Sequence, residues 1–150
     1  MLHRIVMQQK PSKTTLAKNA YADVEAKADD MLYVVTSNSS KAVVKQTGKG
    51  VKIDAAGSSS VNAIIEVDKV DVLTAGVSSA TLLSGTAEDM TVSAIGSSKI
   101  DAEAVSISKA AMVQSGTSKC YVNVTDTLKV NLTGSTMLTF KNKPYIDVER

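Results

Sequence analysis

The chain has 150 residues, of which 43% are hydrophobic but only 3% are aromatic, with no tryptophan and two prolines. Its 17 basic and 15 acidic residues give a net charge of +2 and are spread along the sequence, whereas nucleic-acid binding requires a concentrated basic surface. No apolar run is long enough to cross a bilayer, and residues 1–10 lack the compact apolar stretch of a secretion signal. We therefore expect one domain, no nucleic-acid partner and no membrane insertion of this chain.

Residues 1–17 precede the first regular repeat, and we expect them to be flexible or to cap the first coil of the following domain. They contain the only histidine, His3, so one chain cannot assemble a histidine-based triad or a cluster of histidine metal ligands. A regular pattern runs from residue 18 to residue 150. The sequence thus predicts an N-terminal segment, 1–17, and a repeat domain, 18–150.

A glycine returns about every twenty residues in the repeat domain, which is a period typical of solenoids. Counted backwards, Asn38 and Lys18 take the same position. The residues four and six positions after each glycine, and six and four positions before it, are apolar, which predicts strands with one buried face. The glycines are Gly57, Gly76, Gly96, Gly116 and Gly134; the columns after them are Val61, Ala80, Ile100, Cys120, Leu138 and Ala63, Leu82, Ala102, Val122, Phe140; those before them are Val51, Val70, Met90, Ala110, Leu128 and Ile53, Val72, Val92, Met112, Val130. The same ruler adds the inward pairs Ala42 with Val44, Ala22 with Val24, and Leu32 with Val34.

This pattern predicts an all-β fold, a single-stranded parallel β-helix of about seven coils of 18–20 residues, with two or three short strands in each coil. The alternative for the alanine-rich stretch 101–113 is a helix. However, Ala102, Val105 and Ile107 occupy the offsets that apolar residues occupy in adjacent coils. A single helical coil would also leave the strands on both sides unpaired, so we favour the strand.

A hydroxyl-bearing residue stands two positions after each glycine position. These residues are Ser40, Ser59, Ser78, Ser98, Ser118 and Thr136. Stacked hydroxyl groups could hydrogen-bond along the rod and to the backbone of the corner, which is the interpretation we favour. Alternatively, they form a polar stripe that contacts a glycan or another protein, with Ser59, Ser78, Ser98 and Ser118 as candidate binding residues.

Two lysines, Lys99 and Lys119, lie one position further on and should be neighbours on consecutive coils. Like charges placed opposite each other repel, although long lysine stems can splay into solvent. The simplest interpretation is a solvated face. The functional alternative is an anion-binding patch formed by these two lysines.

Other reactive residue types give little indication of chemistry. Cys120, the only cysteine, falls on an inward column and is expected to be a buried thiol. The acids change column from coil to coil, so neither the pair Asp101 and Glu103 nor a calcium site at Asp68 and Asp71 is favoured. We therefore predict no catalytic residues, no cofactor and no bound metal.

The carboxy-terminal half resembles a known family. The run Cys-Tyr-Val-Asn-Val-Thr-Asp-Thr-Leu-Lys-Val-Asn-Leu-Thr-Gly-Ser at 120–135, followed by a closing segment Phe-Lys-Asn-Lys-Pro at 140–144, is similar to the auto-transporter adhesin family with the head GIN domain. The similarity covers residues 57–150 by motif and residues 18–56 by coil period. Two corners, at 76–79 and 134–137, depart from the Ser-Gly-Ser-Gly usual in the family. The resemblance implies a right-handed parallel β-helix of the bacterial cell envelope, hence an extracytoplasmic location.

Three functional classes follow from these observations. The first is a non-catalytic, adhesin-like domain that binds an unknown glycan or protein. The second is a structural protein that self-associates, because the ends of a solenoid expose unpaired strand edges through which a homo-oligomer could form. The third and least favoured is a polysaccharide-cleaving enzyme on the same scaffold.

Overall fold

The computed structural model describes the backbone of residues 2–7, 12–16 and 21–149, and the side chains of Tyr21 and of residues 32–148. Within these ranges, ten β-strands pair in parallel in one continuous sheet, and none of the chain forms a helix that could traverse a membrane. The strands are β1 (Leu2–Met7), β2 (Ser12–Leu16), β3 (Tyr21–Thr36), β4 (Lys41–Ala55), β5 (Ser60–Thr74), β6 (Ser79–Ala94), β7 (Lys99–Gln114), β8 (Lys119–Leu132), β9 (Met137–Lys141) and β10 (Tyr145–Glu149).

The six long strands, β3 to β8, are the successive coils of a β-solenoid. Consecutive long strands pair with each other over most of their length. At one end β1 and β2 both pair with β3, and at the other β9 and β10 both pair with β8. The predicted parallel β-helix is therefore confirmed. It has six unbroken coils rather than about seven, because the first and last levels are each divided into two short strands.

The N-terminal segment joins the same ladder in the structure. Both β1 and β2, which lie within the predicted segment 1–17, pair in parallel with β3. Lys18, which we predicted at a corner, is outside the described residues, and so are the side chains of Ala22 and Val24. The division of the chain at residue 18 stays a prediction, and the described ladder runs on both sides of it.

The interior contains the predicted apolar columns, stacked residue upon residue. Val61 pairs with Ala80, and Ile100 pairs with Cys120, and all four side chains are buried. Both columns that precede the glycines are buried throughout. The last coil differs, since Leu138 is half-buried and Phe140 is 39% exposed. The reason is that β9 has a strand on one side only among the described residues.

Residues 101–113 form part of β7, so the helical alternative is wrong there. Their inward residues Ala102, Val105 and Ile107 are fully buried. Each pairs with a residue of a neighbouring coil, Ala102 with Val122 for example. The parallel ladder therefore outweighs the helix propensity of the alanines.

Differences in coil length are absorbed in the middle of the coil. Ala63 of β5 pairs with Leu82, but the next residue, Ile64, pairs with Ser84. Leu83 consequently has no residue opposite it and is 47% exposed. At the same bend Gly85 has a φ of 124° and passes so close to β5 that a Cβ would lie 1.5 Å from the carbonyl oxygen of Ile65. Only glycine fits there without a shift of the backbone.

The corners stack without any such variation. Asn38 and the five repeat glycines all adopt positive φ, from 58° to 88°. A Cβ on Gly116 would lie 2.7 Å from the carbonyl oxygen of Gly96. That oxygen accepts a hydrogen bond of 2.9 Å from the amide of Thr117. The corner is thus one further rung of the parallel ladder, and its close spacing leaves no room for a side chain at Gly116.

Substitution at adjacent positions of β8 tests the assignment of inward and outward faces. Val122 is fully buried and Asn123 is half-buried on the opposite face. We expect Val122→Asp to lower the free energy of unfolding by about 3–5 kcal/mol, because its carboxylate would have no partner inside the rod. Asn123→Asp should change it by less than about 0.5 kcal/mol. Urea unfolding measures both values, and equal losses would contradict the assignment.

Candidate functional site

The predicted hydroxyl column lies inside the corners. Ser59, Ser78, Ser98 and Ser118 are each at most 2% exposed, and Ser40 is buried in the same way. The hydroxyl groups of Ser59 and Ser78 donate to the carbonyl oxygens three residues earlier, at 2.8 and 2.9 Å. Short hydroxyl side chains close turns in this manner. Ser40, Ser59 and Ser78 therefore stabilise the turns in which they stand.

The same serines also link each corner to the coil before it. Their partners lie on a column that alternates between threonine and alanine, namely Thr36, Ala55, Thr74 and Ala94. Where this column has threonine, the two hydroxyl groups bond to each other, as between Thr74 and Ser98 at 2.9 Å. Where it has alanine, the serine donates to the alanine carbonyl oxygen, as from Ser78 to Ala55 at 2.9 Å. The serines and their partners on this column together form what we call the polar seam of the corners.

A ligand that reaches a corner from solvent would meet other residues first. The side chains that face outward there include Ser58, Val77, Ser97 and Thr117, all of which are exposed. Ser97 and Thr117 bond to each other through their hydroxyl groups at 2.9 Å. The four candidate serines are brought into one column, as the sequence predicts, but their hydroxyl groups face the interior.

The two candidate lysines are neighbours on consecutive coils. Lys99 pairs with Lys119 in the ladder between β7 and β8, and both side chains are exposed. The ammonium group of Lys99 lies 5.5 Å from the centre of the Tyr121 ring, within the range of a cation–π interaction. Lys99 therefore leans over the neighbouring coil toward Tyr121.

Cys120 is fully buried between Ile100 and Leu138. Burial raises the pKa of its thiol to about 12, and the side chain of Gln114 offsets part of this rise. Gln114 is itself fully buried. A thiol with such a high pKa is not a nucleophile near neutral pH. The sequence analysis identified Cys120 as buried but did not identify Gln114.

The acidic residues do not gather into one group. Asp101 accepts a hydrogen bond of 3.2 Å from the backbone amide of Glu103, a local contact within β7. In the described part of the chain, no three side chains among His, Cys, Asp and Glu are close enough together to hold a metal ion.

One surface feature was not predicted, a groove of about 470 Å³ that runs across β5, β6, β7 and β8. We call it the axial groove. Its lining residues are Lys69, Asp89, Met90, Thr91, Lys109, Ala110, Ala111, Thr127 and Lys129. The outward residues stand in two columns, Lys69–Asp89–Lys109–Thr127 and Thr91–Ala111–Lys129. Four coils at the usual strand spacing give it a length of about 14 Å.

The groove exists because the short side chains on its floor are surrounded by long ones. Thr91 and Ala111 are exposed and small, whereas the lysines around them extend into solvent. Lys69, Lys109 and Lys129 form no ion pair with any carboxylate whose side chain is described. The outward residues of the groove stand seven and five positions before the repeat glycines, so the glycine spacing locates them in the sequence. Sequence reasoning missed the groove because neither column is uniform in charge.

Comparison with protein families agrees with the resemblance seen in the sequence. The model of the family described as "Putative auto-transporter adhesin, head GIN domain" matches residues 4–144. Neither the curated proteins nor the solved structures include a match to the chain. The match extends through all six coils and into the segment that precedes residue 18.

Substitution of neighbouring serines distinguishes the polar seam from the exposed corner. We expect Ser98→Ala to lower the free energy of unfolding by about 1–3 kcal/mol, because the buried hydroxyl group of Thr74 would lose its partner. Ser97→Ala removes an exposed hydroxyl group and should cost less than about 0.5 kcal/mol. Thermal unfolding of both variants gives the comparison. An equal effect would show that the seam contributes nothing to stability.

The buried thiol predicts a dependence of stability on alkaline pH. The thiol of the unfolded chain loses its proton near its ordinary pKa of 9.0, whereas the folded chain keeps it until about pH 12. The folded state then binds more protons, so the free energy of unfolding falls from pH 9 to pH 12, by up to about 1.4 kcal/mol per pH unit. Urea unfolding at a series of pH values should show this slope in the natural chain and a smaller one in Cys120→Ala. Identical slopes would refute the assignment.

Proposed function

Because the chain belongs to the auto-transporter adhesin family with the head GIN domain, we propose that it is a non-catalytic binding domain that acts outside the cytoplasm, in the bacterial cell envelope. The observation that carries this proposal is the axial groove, where polar and charged side chains of four successive coils face solvent together. A stack of coils presents such side chains at a fixed spacing. It can therefore bind an extended ligand without any moving part.

The polar groups that are available for binding differ from those that hold the fold together. The serines of the polar seam are occupied by backbone and threonine partners. By contrast, Lys69, Lys109 and Lys129 are exposed and unpaired among the described side chains. Binding of a ligand in the axial groove would leave every hydrogen bond of the corners intact. This separation supports a binding role for the faces and a structural role for the corners.

Two measurements on the whole protein test this proposal. Antibodies raised against the purified chain should label cells that produce the protein and whose inner membrane is intact, once the outer layers of the envelope have been made permeable. Incubation of the chain with acidic and neutral polysaccharides should release no new reducing ends. Labelling that requires permeabilisation of the inner membrane would contradict the extracytoplasmic location. Released sugar ends would favour the alternative of a polysaccharide-cleaving enzyme.

A second candidate function is self-association through the last coil. Leu138, Phe140, Ile146 and Val148 continue the inward columns of β8, yet Phe140 and Ile146 are each 39% exposed and Val148 is 56% exposed. The outer edges of β9 and β10 have no strand partner among the described residues. Exposed apolar side chains next to an unpaired edge are a template for pairing with another chain.

The two short strands suit a second copy related by a two-fold axis. They have five residues each, so β9 of one copy can pair antiparallel with β10 of the other, and the reverse. This register places Leu138 opposite the second copy's Val148, and Phe140 opposite its Ile146. Lys141 then lies diagonally across from an aspartate, Asp147. Apolar residues thus meet on the inward face, and opposite charges meet on the outward face.

A disulfide between copies tests both the association and its register. In this arrangement Thr139 faces the second copy's Asp147, at the separation of about 4.5–5.5 Å between Cα atoms that antiparallel strands have. This separation permits a disulfide. The double variant Thr139→Cys/Asp147→Cys should therefore form covalent dimers under mild oxidation, whereas Thr139→Cys alone should not. Sedimentation of the natural chain as a strict monomer at all concentrations would eliminate this candidate.

A further inference from the structure

We propose that the axial groove binds a linear acidic polysaccharide, one that carries carboxylate groups on its sugar rings, aligned with the axis of the solenoid. This inference rests on the proposed function and names the ligand class of the same surface. It is carried by three features of the groove, which are its charge, its shape and its hydroxyl-binding groups.

The charge of the lining favours an anion. Three lysines and one aspartate line the groove, which leaves two positive charges in excess. Asp89 stands between Lys69 and Lys109 in one ladder column, yet neither lysine forms an ion pair with a described carboxylate. The three ammonium groups are therefore free to donate to a carboxylate of the ligand. Hydrogen bonds to charged groups are stronger than neutral ones.

The shape of the groove favours an extended ligand over a compact ion. Its volume of about 470 Å³ lies in the range of small-molecule sites. It spans four coils, so the cations of β5, β7 and β8 lie at successive heights along the axis. Lys69 and Lys109 are two coils apart, or about 9.6 Å at the usual strand spacing. With both lysine stems extended, a chain of sugar rings can meet the two ammonium groups at separate points along its length.

The remaining polar groups favour a saccharide over other polyanions. Asp89 supplies carboxylate oxygens, and the hydroxyl groups of Thr91 and Thr127 both donate and accept hydrogen bonds. Sugar hydroxyl groups need such acceptors. A polyphosphate or a nucleic acid bound through its backbone offers few donors there, so the carboxylate of Asp89 would have no hydrogen-bond partner. The mixture of cations with hydrogen-bond acceptors therefore matches a molecule that carries both carboxylates and hydroxyl groups.

The main test compares two pairs of lysines that carry the same charge. Lys109→Ser/Lys129→Ser removes two cations from the axial groove, and Lys99→Ser/Lys119→Ser removes two from the other candidate patch. The probe is an oligosaccharide of polygalacturonate, with neutral dextran as the uncharged reference, and titration calorimetry measures the dissociation constants. We expect the groove variant to bind at least about tenfold more weakly and the control variant to change by less than about twofold. Thermal unfolding checks that both variants remain folded.

Two single variants separate saccharide recognition from simple charge attraction. Ala111→Glu places a carboxylate in the floor of the groove and should abolish binding of the oligosaccharide. Asp89→Ala should weaken it, because an acceptor for sugar hydroxyl groups is lost. If charge alone drove binding, Asp89→Ala would instead strengthen it, and that result would overturn the proposal. The proposal would likewise be overturned by equal losses in the two double-lysine variants, or by binding of single-stranded DNA or anionic phospholipid vesicles with the same dependence on Lys109 and Lys129.

Failure of this inference can be distinguished from failure of the proposed function. Antibody labelling of cells whose inner membrane is intact, combined with no binding of polygalacturonate by the natural chain, would reject the acidic ligand and leave the envelope binding domain standing. Release of reducing ends from polygalacturonate would reject the non-catalytic function itself. Tight binding without release, lost in the groove variant alone, would support both.

Discussion

Backbone packs directly on backbone at the glycine corners, where a Cβ on Gly76, Gly96 or Gly116 would come within 2.7–2.9 Å of the carbonyl oxygen of the preceding corner. That oxygen accepts a hydrogen bond from the next coil, so the ladder continues around the turn. A corner without this contact would leave these amides and carbonyls without a partner in the chain. The parallel register of the long strands is therefore fixed at the corners and transmitted from them to both faces of each coil.

Fixed corners explain why the interior can be built from small and unequal side chains. Ile100 packs above Ala80 and below Cys120, and the ladder holds each pair in register whatever their sizes. The polar seam also tolerates different residues, because each serine bonds either to a threonine hydroxyl group or to an alanine carbonyl oxygen one coil away. Differences in coil length are displaced to the bends, such as the one at Leu83. The solenoid tolerates variation in the places where the corners do not constrain it.

The period of the glycines made most of the fold predictable, because a solenoid repeats one local rule. The corner at Asn38 was predictable from the same spacing, since asparagine tolerates the left-handed conformation. The exposure of Phe140 could not, because it depends on what covers the last coil rather than on the residue itself. The extra residue at Leu83 was hidden for a similar reason. A spacing between glycines gives the length of a coil but not the point at which a residue is inserted.

The axial groove escaped prediction because it depends on differences between coils, whereas a repeat pattern reveals what coils share. Its cations, Lys69, Lys109 and Lys129, do not occupy one column, and its floor exists only because Thr91 and Ala111 are shorter than their neighbours. Outward residues of this kind take no part in the corner contacts or in the interior columns. They can therefore vary in charge and size from coil to coil at little cost to stability. Recognition by a solenoid is best sought at such departures from the repeat, where the fold leaves the side chain free.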